Sequence, residues 1–238
     1  MVTLAIDTSE ARGSVAVLRD SLLAAGRVHR DNSDYSAWLL PAVEAALAEA
    51  GIKMESLDLL AVSTGPGSFT GLRVGLTAVK AWAEVYRKPV VGVSRLKAIA
   101  GSELFISPFL VASYDAQRGQ LFAALYCNAT GHAESLGEEM VISPGELVSL
   151  VAEEAKQQKV TWICLDPELV SNAEGIEARI SAGDAIVRGT EELAFRIGIL
   201  AEEQAGKGHF SDPLTLDANY VRRSDAEIFW KGLSVGGR

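Results

Sequence analysis

Gly65-Pro66-Gly67-Ser68-Phe69-Thr70-Gly71-Leu72-Arg73 is the stretch on which the reading of this chain turns. The apolar run Leu57 to Ser63 before it reads as a buried strand, and a helix is expected from Gly71 to about Tyr86 after it. Three glycines and a proline within seven residues force a tight turn and let backbone N–H groups come close to whatever lies over the helix N-terminus. Such a turn serves either a phosphate or close backbone packing. A dinucleotide site is disfavoured: two hairpins precede the loop, and the following strand ends in Ser94-Arg95 where an acidic residue would be needed. No lysine follows in the manner of a P-loop either.

Upstream, strands are expected at Thr3 to Thr8, Ser14 to Arg19 and Leu22 to His29, then a helix from Asp34 to Ala50. Downstream comes a strand at Pro89 to Val93, and the pattern pauses around Ala98 to Pro108, a candidate domain boundary. The opening theme then restarts. Leu4-Ala5-Ile6-Asp7 leads through a turn to Gly13 and Val15-Ala16-Val17-Leu18, and Val111-Ala112-Ser113-Tyr114-Asp115 leads to Gly119 and Leu121-Phe122-Ala123-Ala124-Leu125. A helix (Gly145 to about Gln158), a strand (Val160 to Leu165) and a helix (Glu191 to Ala205, with Gly206 as its cap) follow. The expectation is a duplicated α/β fold, domains 1–100 and 101–238, with the tail from about 207 packing back on the first. Paired Asp-bearing hairpins suggest the actin-like, sugar-kinase and chaperone-type ATPase fold.

The 238 residues suffice for two small domains, and no run approaches membrane-spanning length. The first residues enter a strand pattern with no basic-then-apolar leader, so a cytoplasmic protein with no membrane partner is expected. Cys127 and Cys164 read as buried free thiols. A net charge of −9 disfavours direct tRNA gripping by this chain, because neutralising phosphates takes clustered Lys and Arg.

Asp7-Thr8-Ser9 fits a metal-bound phosphate or, as well, a hairpin-closing Asx or Ser turn. His29, His132 and His209 share no metal-ligand spacing and no G-x-S-x-G elbow occurs, so no metal and no catalytic centre is expected. In the first helix Tyr35, Trp38, Leu39, Ala42, Val43, Ala46, Leu47 and Ala50 would face the sheet, yet Leu40, Pro41, Ala45 and Ala48 make the other side apolar too. The helix after the glycine loop keeps one polar strip, Arg73, Thr77, Lys80, Glu84 and Arg87. Helices apolar nearly all round are either deep in a core or covered by a second protein. Gly71 and Gly75 would admit another helix closely, Pro41 should kink or break the first helix, and Asn32 or Ser33 should cap it. The apolar Ile228-Phe229-Trp230 would fold back or meet a partner.

Leu4 to Ser9, Gly65 to Gly75, Val93 to Ala98, Asp115 to Gly119 and Tyr220 to Ala226, in this order over nearly the whole chain, resemble the TsaB (YeaZ) family. The resemblance implies an actin-like ATPase fold and a non-catalytic subunit without a cofactor. TsaB proteins pair with their paralogue TsaD, which transfers threonylcarbamoyl to adenosine 37 of tRNAs reading ANN codons. TsaE joins them, TsaC supplies threonylcarbamoyl-adenylate, and tRNA is met only indirectly. The two apolar helices would then bind TsaD, with Leu40, Ala45, Ala48, Arg73, Thr77, Lys80 and Glu84 at or beside the interface, and form a homodimer when alone. Asp7, Thr8, Ser9, Gly65, Gly67 and Asp115 would be a vestigial nucleotide site. The competing reading is a small ATPase or kinase using Asp7 and Asp115 on a metal–nucleotide. Where the family often has His-Ser-Glu entering the first helix, this chain has Asp31-Asn32-Ser33-Asp34-Tyr35.

Overall fold

The computed structural model describes residues 1–30, 34–101, 107–128 and 133–221. β1 (Val2–Asp7), β2 (Ser14–Arg19) and β3 (Leu22–Val28) form an antiparallel meander, followed by α1 (Tyr35–Ala50), β4 (Leu59–Gly65), α2 (Phe69–Tyr86), β5 (Val90–Ser94) and α3 (Arg95–Ala100). The second half has β6 (Phe109–Asp115), β7 (Leu121–Cys127), β8 (Glu134–Ser135), β9 (Met140–Ile142), α4 (Pro144–Ala155), β10 (Val160–Cys164), α5 (Pro167–Ser171), α6 (Ile176–Ser181), β11 (Ala185–Arg188) and α7 (Ala194–Gly206). The first sheet is ordered β3-β2-β1-β4-β5 and the second, read from its hairpin edge, β8-β7-β6-β10-β11. In each, an antiparallel hairpin is extended by two parallel strands, the duplicated actin-like ATPase arrangement.

Three apolar clusters stack the layers. Leu4, Ile6, Val15 and Val62 of the first sheet pack on Leu39, Val43 and Leu47 of α1 and Leu76 and Val79 of α2. The opposite face of that sheet, through Ala5, Leu18 and Val91, joins α3, α7 and the near face of the second sheet in one core. Val111, Leu125 and Trp162 meet α4, α5 and α6 on the far side. α7 therefore returns the chain to the first sheet, where Glu202 accepts hydrogen bonds from Thr3 (2.7 Å) and Ser21 (2.6 Å). Beyond it, Ser211 pairs with Val90 at the β5 edge, Asn219 donates to the Thr64 carbonyl (2.7 Å), and Leu216 and Ala218 pack on the outer cluster.

Several expectations are corrected. α1 runs unbroken through Pro41, and its N-cap position is Asp34, which makes no side-chain cap hydrogen bond. Only its inner face is buried; Leu40, Pro41, Ala45 and Ala48 are exposed. α2 begins at Phe69, two residues before Gly71, with Ser68 accepting from the Gly71 N–H (3.4 Å). α7 starts at Ala194 rather than Glu191 and includes Gly206; its cap is Lys207. An unexpected helix, α3, follows β5 and runs into the start of the pause expected at Ala98; its N-cap Ser94 accepts from the Lys97 N–H (3.0 Å). The short elements α5, α6 and β11 are further additions. Both cysteines are free, Cys164 buried and Cys127 half-buried. Asn32, Ser33, His132 and Ile228-Phe229-Trp230 lie outside the described residues.

Gly71 and Gly75 admit a strand end, not another helix. A Cβ on Gly71 would lie 2.1 Å from the Thr8 carbonyl oxygen, and one on Gly75 2.5 Å from Thr8 Oγ1. The first turn of α2 is thereby pressed onto the end of β1, and Thr8 Oγ1 donates to the Gly71 carbonyl (2.7 Å). Gly71→Ala is expected to cost about 3 kcal/mol, because the obstacle is backbone that overpacking must displace. Urea unfolding checks this, with Gly145→Ala as control: the new methyl there meets only Glu174 Cβ at 3.8 Å, so its midpoint should hold or rise.

Candidate functional site

Two features are built on the glycine loop: the cleft end of β1 and the outer face of α1 and α2. At the cleft, Asp7, Ser9 and Arg95 are all sealed from solvent, at 0%, 0% and 1% exposure. Asp7 Oδ1 accepts from the Ser9 N–H (3.0 Å) and hydroxyl, and Oδ2 is ion-paired with Arg95 Nη1, which also donates to Ser9 Oγ (2.9 Å). The first residue of α3 thus supplies the cation at the carboxylate that the sequence offered to a metal. Burial works against the charge on Arg95, yet the Asp7 carboxylate beside it holds its pKa above the usual guanidinium range. Tyr114, at the corresponding strand of the second sheet, lies over that guanidinium (5.1 Å) and donates its hydroxyl to the Pro66 carbonyl (2.5 Å).

The glycine loop packs against the same strand end. The Ser68 N–H donates to the Ser9 carbonyl (2.7 Å), and a Cβ on Gly67, whose φ is +153°, would lie 2.3 Å from that oxygen. Gly65 and Gly67 therefore serve close packing here, the second of the two uses open to such a turn. Asp115, at the end of β6, is held by its own turn. Its carboxylate accepts from Gln117 N–H (2.7 Å) and Nε2 (3.1 Å), and its own N–H donates to Asp166 (2.9 Å). Glu10 sits near these groups. Burial pushes its carboxyl up to about 7, Arg95 opposes this, and Asp7, Asp166 and Asp115 add to it. Among the described residues no cluster of His, Cys, Asp or Glu could hold a metal ion.

On the outer face, α1 and α2 leave an apolar groove of about 650 Å³, bordered by Leu39 and Leu40 on one side and Phe69, Val74, Thr77, Ala78, Ala81 and Trp82 on the other. Of the residues assigned to partner binding, Leu40, Arg73 and Thr77 line this groove. Ala45, Ala48 and Glu84 are exposed but do not line it, and Lys80 donates to the Leu216 carbonyl (2.8 Å). Arg73 stacks over the Phe69 ring at 3.7 Å and donates to the Tyr220 hydroxyl (3.3 Å), so the returning tail fixes one rim. His29 is buried beside Tyr35 and Trp38, its Nδ1 2.9 Å from the Ala11 carbonyl, and has a packing role. Sequence reasoning missed Arg95 and Tyr114. The one available signal was an arginine opening a helix directly after an otherwise apolar strand.

A family model described as TsaD, tRNA N6-adenosine threonylcarbamoyltransferase, matches residues 30–170. The tRNA threonylcarbamoyladenosine biosynthesis protein TsaB of Bacillus subtilis is 26% identical over 97% of this chain and 98% of its own length. The protein of the same name from Escherichia coli is 30% identical over 68% of this chain and 70% of its own. The solved structure of YeaZ from Pseudomonas aeruginosa superposes with a TM-score of 0.78 at 23% identity, covering 92% of this chain and 99% of that one, which shows the shared fold. With the two-sheet topology and the glycine loop in place, these matches put the chain in the TsaB (YeaZ) family, within the wider TsaD group.

Proposed function

We propose that this chain is a cytoplasmic, non-catalytic docking subunit in the synthesis of threonylcarbamoyladenosine in tRNA. Its α1–α2 groove seats the helices of a TsaD-type transferase, and TsaE joins the larger assembly. The observation that carries this reading is the groove itself: an apolar channel on the outermost layer, rimmed by exposed Leu40 and Phe69. A lone surface helix turns a polar face to water, whereas this pair turns Leu40, Ala45, Ala48 and Ala81 outward. The Asp7–Arg95 pair supports the non-catalytic part, since an ATPase of this fold needs that carboxylate free to face a metal–phosphate. The net charge of −9 fits a subunit that meets tRNA through its partner.

Light scattering on a gel-filtration column tests the reading, with the chain alone and mixed with the TsaD of the same organism. The expected result is a homodimer alone, replaced by a one-to-one complex on mixing. No complex, even with nucleotide and TsaE added, would sink the docking function.

A further inference from the structure

We propose that Arg95 is a built-in ligand of the inter-domain cleft: its guanidinium takes the place of a metal-bound phosphate at Asp7 and so holds the first turns of α1 and α2 in docking geometry without any nucleotide. Its consequence for partner binding rests on the docking function above; its test needs the chain alone.

Both oxygens of Asp7 are committed, Oδ1 to Ser9 and Oδ2 to Arg95, and all three residues are sealed. The cation therefore fixes the run from Asp7 to Glu10. Each groove helix is tied to that run at its N-terminal turn. For α2 the ties are the Thr8 hydroxyl to the Gly71 carbonyl (2.7 Å) and the Ser68 N–H to the Ser9 carbonyl (2.7 Å). For α1 the tie is the Tyr35 hydroxyl to the Glu10 carbonyl. Tyr114 closes the arrangement from the second sheet, covering the guanidinium and bonding the glycine loop at Pro66. Arg95 thus lies between Asp7 of the first sheet and Tyr114 of the second, and the contact between the two halves here is made by the chain itself. Glu10, Asp115 and Asp166 add carboxylates close to this site, and Arg95 is already engaged by Asp7, so a polyphosphate brought to Asp7 meets repulsion from them.

Hydrogen–deuterium exchange on the full chain, with and without millimolar magnesium–ATP, tests this. In the parent, exchange over residues 7–10, 35–38 and 68–72 should be the same in both conditions. In Arg95→Ala it should rise by about tenfold or more in those segments, leaving α4 and α6 unchanged. Protection of the parent cleft by magnesium–ATP would overturn the proposal, as would unchanged exchange in the variant. Should Arg95→Ala fail to fold, Tyr114→Phe decides: it keeps the ion pair and removes only the bond to Pro66. Faster exchange over 65–68 supports the closure, and unchanged exchange overturns it. Failure of complex formation with TsaD would remove the docking reading and leave this result standing.

Discussion

Arg95→Ala is expected to lower the melting temperature by about 10 °C. Its removal leaves Asp7 charged at 0% exposure, facing Ser9 and no cation. Breaking one side of a sealed ion pair costs about 3–5 kcal/mol, because the surviving charge has neither water nor partner. For a chain of this size each kcal/mol moves the midpoint by about 2–4 °C. Asp7→Ala should cost a similar amount for the mirror-image reason, since the guanidinium is then stranded under Tyr114. The informative variant is the pair Asp7→Ala with Arg95→Met. It removes both charges and keeps most of the stem volume, so it should recover about half of either single loss. Differential scanning calorimetry on the parent, Asp7→Ala, Arg95→Met and the double variant gives the cycle. Additive losses would mean that the two side chains act separately and that the cleft is not closed by their pairing. The same cycle separates the docking subunit from the ATPase reading. If Asp7 existed to hold a metal–nucleotide, its loss would abolish ligand binding and barely move the melting temperature.

Much of this architecture was legible because the apolar runs of the strands are continuous and their turns are marked. Leu4-Ala5-Ile6-Asp7 and Val111 to Asp115 announce the two hairpins, and the parallel additions follow from strand–helix–strand order. α3 was not legible: it is six residues long, too short for a helical period, and Ser94-Arg95 reads as a strand end. The same blindness hid Arg95, since an arginine in sequence looks solvated and only the fold shows it sealed between two sheets. The start of α7 was misplaced because Glu191 and Glu192 resemble an acidic first turn. They instead pair with Arg12 (3.2 Å) and Arg30 (3.6 Å) across the cleft, a contact made by residues far apart in the chain. Gly71 and Gly75 were read as room for a helix; the neighbour is Thr8, which no helical spacing could reveal. The apolar outer sides of α1 and α2 were visible as composition. Which of their residues border one groove depends on how the two helices lie on the sheet, and this separates Leu40, Arg73 and Thr77 from Ala45, Ala48 and Glu84.

Ala81→Arg should abolish complex formation with TsaD and leave the melting temperature within about 2 °C of the parent. Ala81 is exposed on the groove side of α2, three residues from Ala78 and beside Trp82. Arginine is nearly as good a helix former as alanine, and at a solvated position the substitution should change stability by no more than about 0.5 kcal/mol. At a buried helix–helix contact the same side chain must either lose its hydration unpaired or hold the partner off. A hundredfold loss of affinity corresponds to about 2.7 kcal/mol, which one desolvated and unmatched charge readily supplies. The homodimer should fail with the heterodimer, because both would use the same groove. Glu153→Gln, exposed on α4 at the opposite end of the layer order, makes the same change of one unit in net charge and should leave both assemblies intact. Light scattering and calorimetry on the same samples give three distinguishable outcomes. Lost assembly with an unchanged melting point places the docking surface on α1 and α2. A large fall in melting point would mean that position 81 is core after all. Intact assembly would move the interface off these helices, and with it the function argued from them.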